Sequence, residues 1–180
     1  MRCLVKLFTT QSRASDNSLI PRRVVEEYLS SPGYKMAIER GLMVGGRSHR
    51  DRVLKASPNG ELLSGVVGKD DNLLLNNNSI SVIDKIFFNP DDPNDEWVYA
   101  IQRFFDPEDM DDASAKAIKQ ITGMIKNGVK ISTSAVVIGY WNEDEVCEKL
   151  IGIKGNDITL NPAFSKSGQD PAGIVKVIDD

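Results

Sequence analysis

With 180 residues the chain is long enough for a single domain with a core that needs no covalent staples, and its 41% apolar and 27% charged content is that of a globular protein rather than a disordered one. The 22 basic and 26 acidic side chains leave a net charge of −4, which argues against nucleic acid as a partner. The nearest basic cluster, Arg47 to Arg52, is short and broken by Ser48 and Asp51.

The opening MRCLVKLFTT is too short in its apolar part for a signal sequence, and Arg13 follows soon after. No run approaches the ~18 apolar residues of a membrane span. Cys3 and Cys147 form no CxxC pair; one long-range disulfide would be open to them, but with no export signal two reduced core thiols in a soluble protein of a reducing compartment are expected. Cys3 to Phe8 alternates and reads as a first strand. Pro21 opens a short helix with Val24, Val25, Tyr28 and Leu29 on its apolar face, and Tyr34 to Arg40 adds further helix closed by Gly41. Leu42 to Val44 reads as a short buried strand, and Gly45 to Asp51 as a loop carrying His49.

Val53 to Ala56, Leu62 to Val67 and Ser79 to Phe88 are further strands. Asn89 to Asn94, with Pro90 and Pro93, is a loop, and Trp97 to Phe105 returns as the partner in a hairpin. One long helix is expected from about Met110 to Lys126, with acidic residues at its positive end and Asn127-Gly128 as its stop. Strands follow at Val129 to Tyr140, Val146 to Ile153, Ile158 to Leu160 and Ile174 to Ile178. Many strands, few helices and no βαβ rhythm give an α+β or barrel-like domain over residues 1–180.

His49 is the only imidazole in the chain and lies in a polar, Gly-rich segment after an apolar strand, where catalytic groups tend to sit. A surface histidine is the ordinary alternative. Ser132 and Ser134 share one face of a strand, which is usually just its wetter face; a serine becomes a nucleophile only when a base takes its proton. Gly65 to Asp70 fails as a phosphate loop because Asp70 stands where Ser or Thr should bind magnesium. The acidic run Asp106 to Asp112 lacks the glycine of a calcium loop, and no Gly-x-Ser-x-Gly elbow is present.

Four segments together resemble the prohead maturation serine proteases of tailed bacteriophages. They are Asn17 to Val24, Leu42 to His49, Gly128 to Gly139, and Gly155-Asn156-Asp157-Ile158-Thr159-Leu160-Asn161-Pro162-Ala163-Phe164. The sequence departs from the family at Arg50, in place of a proline after the histidine, and at Ser134-Ala135-Val136, in place of Ser-Ser-Arg. The resemblance implies a strand-rich, barrel-like core flanked by helices, similar in fold to the herpesvirus assemblins. It implies His49 as general base and a serine nucleophile. A gap-free match between Gly128 and Gly139 puts the nucleophile at Ser134, whereas matching on Ile131 puts it at Ser132. It also implies an acidic residue on a late strand, for which Asp157 is the choice; Asp51 and Asp84 are the reserves. A turn at Gly155-Asn156-Asp157 is the plain alternative for Asp157.

Scaffold and capsid proteins of the immature head, cleaved after a glutamate, would be the substrates, with self-cleavage a further option. The chemistry needs no metal or organic cofactor, and neither nucleic acid nor membrane is expected as partner. The work would take place inside the prohead, assembled in the host cytoplasm. A protease-like head component without activity, and an unrelated binding domain in which His49 and Ser134 never meet, are the rival readings.

Overall fold

The computed structural model describes residues 1–48, 55–56, 79–159 and 171–180. His49, Asp51, the strand expected at Leu62 to Val67 and the segment Asn161-Pro162-Ala163-Phe164 lie outside the described residues.

Alternation dictates the first strand, β1 (Arg2–Thr9), which buries Cys3, Val5 and Leu7 together with Phe8. Pro21, whose fixed φ suits a helix entrance, precedes α1 (Arg22–Leu29), and Val24, Val25 and Tyr28 form its buried face. α2 (Pro32–Glu39) starts where the Ser31 hydroxyl accepts the Tyr34 N–H at 3.2 Å, and it ends before Gly41 at φ +61°. β2 (Val44–Gly46) and β3 (Lys55–Ala56) follow. A hairpin comes next, β4 (Ser79–Phe88) and β5 (Trp97–Phe104). α3 (Asp112–Lys126) is capped by the Asp111 carboxylate, which accepts the N–H groups of Ala113 and Ser114, and it buries Ile118, Ile121 and Ile125. β6 (Thr133–Trp141), β7 (Cys147–Ile158) and β8 (Gly173–Asp179) complete the described chain. No described helix is long and apolar enough to cross a membrane.

The architecture is α+β. Among the described residues the strands form two open sheets, one ordered β2-β4-β5-β1-β8 and one ordered β3-β6-β7, and no closed barrel. The sheets nevertheless meet at a corner: Thr133 N–H donates to the Ala172 carbonyl at 3.2 Å, and Ile174 N–H to the Ile131 carbonyl at 2.9 Å. Between them lies a core that includes Val5, Leu7, Ile80, Ile83, Val98, Ile118, Val137, Leu150 and Ile153. Cys3 and Cys147 are both free thiols within it.

Several expected strands are redrawn. The strand expected at Leu42 to Val44 moves to Val44–Gly46, leaving Leu42 exposed and putting both glycines in the ladder with β4 rather than in a loop. The strand expected at Val146 to Ile153 runs on to Ile158 as one strand, β7, so it takes in the start of the strand expected at Ile158 to Leu160, whose end lies outside the described residues. An extra residue at Lys154, between the pairs Val137↔Ile153 and Val136↔Gly155, is absorbed as a bulge, so the strand runs on through Gly155, Asn156 and Asp157 without turning.

Candidate active site

The register of β6 against β7 sets Ser134 directly opposite Asp157. Directly opposed residues of an antiparallel pair project to the same face, with Cβ atoms roughly 4.5–5.5 Å apart. Both are withdrawn from solvent, Ser134 at 4% exposure and Asp157 at 0%. Asp157 is therefore no turn residue. Its Oδ1 accepts the N–H of Gly46 at 2.8 Å, a buried bond that ties the end of β2 to β7. A charge-assisted bond of this kind fixes the orientation of the carboxylate.

Ser132 stands differently. It is half-buried, bridges to Gly173 at the corner between the sheets, and its carbonyl accepts the Thr159 N–H at 3.1 Å. A pocket of about 100 Å³ beside it is lined by Lys6, Lys130, Pro171 and Val175, among others. The cross-strand carboxylate thus belongs to Ser134 and not to Ser132. Asp84 is engaged elsewhere, paired through both its oxygens with the Arg103 guanidinium at 3.0 and 3.1 Å. His49 and Asp51 lie outside the described residues, so no distance joins them to the pair.

Gly45 explains how β2 comes so close. A Cβ at this position would lie 2.3 Å from the Asn156 carbonyl oxygen and 2.5 Å from Ser81 Oγ, so no side chain fits. Behind this contact lies a buried polar cluster that sequence reasoning missed. Gln102 Nε2 donates to Ser81 Oγ at 2.7 Å and to the Asn156 carbonyl at 3.3 Å, while Asn156 Nδ2 donates to Gln102 Oε1 at 2.7 Å. The signal was available: Val98, Ala100, Gln102 and Phe104 are the core-facing phase of β5, and Gln102 is the polar residue among them.

No family model and no curated protein matches the sequence. Among solved structures, the chain is similar to the capsid assembly protease of bacteriophage T4, with 11% identity over 89% of this chain and 78% of that one, and a TM-score of 0.49. At that similarity no residue's role passes from one chain to the other.

A serine hydroxyl beside an oriented carboxylate is two parts of an acyl-transfer constellation, and the missing part is a base between them. Among the described residues no group of His, Cys, Asp and Glu side chains is placed to hold a metal ion.

Proposed function

We propose that the chain is a serine endopeptidase of the prohead-maturation type, a single protease domain in which Ser134 is the nucleophile, His49 the general base and Asp157 its orienter. The observation that carries this reading is the pairing of Ser134 with Asp157 across β6 and β7, with Gly46 N–H on the carboxylate. Gly46 is three residues from the only imidazole of the chain. Covalent geometry alone limits His49 to within about 11 Å of Gly46, since an extended chain spans at most about 3.6 Å per residue. The base is thus tethered to the strand that binds the orienter. The four-segment sequence resemblance supports the same reading.

In this mechanism Ser134 Oγ attacks the scissile carbonyl carbon while His49 accepts the hydroxyl proton. Collapse of the tetrahedral adduct breaks the C–N bond, and His49 returns the proton to the leaving amine. Water, deprotonated by the same imidazole, then releases the acyl group and restores Ser134. Asp157 holds the ring in one tautomer and stabilises the imidazolium. The substrates are extended segments of scaffold and capsid proteins within the immature phage head, with self-cleavage as a further case, and the fold belongs with the assemblin-like proteases.

Incubating the purified protein with the scaffold and capsid proteins of its own phage tests this, with Ser134→Ala and Ser132→Ala alongside. Cleavage is expected from the wild type and from Ser132→Ala but not from Ser134→Ala. The reverse pattern makes Ser132 the nucleophile. Ala135-Val136, in place of the family's Ser-Arg, favours the second reading, a head component that binds those proteins without cutting them; binding with no cleavage would establish it.

A further inference from the structure

Gln102 is 1% exposed and grips one residue of β7 twice, through the backbone carbonyl and through the side-chain amide of Asn156. Asn156 immediately precedes Asp157. Its carbonyl is also the atom against which Gly45 is stacked, and Gly46, next in β2, is the donor to Asp157. Ser81, the third partner of Gln102, lies opposite Gly45 in the β2–β4 ladder. Asp157 is therefore one residue from a group held by this carboxamide, and Gly46 is one residue from Gly45, whose cross-strand partner Ser81 is held by it too. A buried amide adds little net stability over a well-packed apolar side chain, but its directional bonds tolerate one alignment of the strands and penalise others.

We propose that Gln102 is a positioning residue: its carboxamide ties β4 to β7, and so holds the β2 strand that pairs with β4 in the alignment that seats the Asp157 carboxylate on Gly46 N–H, opposite Ser134. The catalytic consequence rests on the protease reading; the structural one does not.

The test replaces Gln102 with Met, similar in length but without strong hydrogen-bonding groups, and follows the Gly46 amide by NMR as pH is varied. In the wild type this resonance reports its bond to the carboxylate. In Gln102→Met it is expected to shift upfield and to exchange with solvent at least ~10-fold faster, because the bond opens more often. The turnover of a cleavable peptide should fall by roughly 100-fold, the effect of an ångström-scale misplacement, with KM within about twofold. Ser81→Ala, which removes only an acceptor of the Gln102 amide, should move the same resonance in the same direction by less, and it decides the matter if Gln102→Met does not fold. A Gly46 amide unchanged in the folded variants overturns the positioning role even if the wild type cleaves. A wild type that cleaves nothing, with a Gly46 amide that still responds, sinks the protease reading and leaves the positioning role standing.

Discussion

Gly45→Ala is the smallest change that should disturb the candidate site without touching any of its reactive groups. The added methyl would meet the Asn156 carbonyl oxygen at 2.3 Å, and that atom is backbone, so no side chain can swing away to relieve the clash. Restoring an ordinary contact near 3.5 Å requires β2 and β7 to part by about 1 Å. Overpacking of this kind typically costs about 1–3 kcal/mol, which lowers the melting temperature of a chain this size by several degrees. The same displacement pulls Gly46 N–H off Asp157 and should cost about 100-fold in turnover. Gly152→Ala is the matched control, a glycine in the same β7 where an added Cβ meets nothing within 4 Å. Thermal unfolding followed by circular dichroism, with peptide turnover on the same samples, measures both effects. If Gly45→Ala and Gly152→Ala are indistinguishable in stability and rate, the close approach of β2 to β7 is not what holds the site.

Asp157→Asn should fold and bind substrate normally but lose about 10³–10⁴ in kcat, since the amide retains the shape without the charge that favours the working tautomer; near-normal turnover removes Asp157 from the site. Asp84→Asn breaks the exposed pair with Arg103 and should stay within about 0.5 kcal/mol of wild-type stability in denaturant titrations. His49→Ala should be as inactive as Ser134→Ala, and wild-type kcat/KM should show an acidic limb with a midpoint near the ordinary histidine pKa of about 6.5. Burial pushes the Cys3 thiol up to about 11 and the Cys147 thiol up to about 12, from an ordinary 9.0. The folded state therefore favours the protonated thiols. Their contribution to stability is complete below pH 9 and is lost as pH rises towards 11 and 12, where the unfolded chain alone ionises freely. Urea unfolding at rising pH should show this decline, and a thiol reagent at pH 8 should label both cysteines only after unfolding.

Much of the scaffold was legible because it obeys a local period. β1 and β5 alternate, and α3 carries its acidic cap, its isoleucine stripe and its Asn127-Gly128 stop in the sequence itself. Elements made by tertiary contact were misread. Gly45-Gly46 has the composition of a loop, yet its lack of side chains is what lets β2 lie against Asn156. Gly155-Asn156-Asp157 has the composition of a turn, but the long ladder to β6 overrides that preference. The expected start of β6 at Val129 came four residues early, because the approach to the strand bonds instead to β8 through Ile131. Ser134 was a candidate from the sequence, as was Asp157 by resemblance. Their pairing was not legible, for it depends on three one-residue bulges in β7, at Glu148, Ile151 and Lys154, that no periodicity announces.

The placement of β1 also bears on how the chain reaches this state. It is the earliest of the described strands in chain order, yet its neighbours are β5 and β8: Arg2 faces Arg103 on one side and Asp179 on the other. At ~5–20 residues per second, β1 waits roughly 5–20 s for its first partner. During that time Val5, Leu7 and Phe8 have no sheet to enter. Pairings this distant in sequence also fold slowly, because loop closure precedes their reward. Until the β4–β5 hairpin emerges β1 is thus an unpaired apolar strand, so a holdase that recognises β1 would raise the yield of folded protein more than one acting on the finished chain.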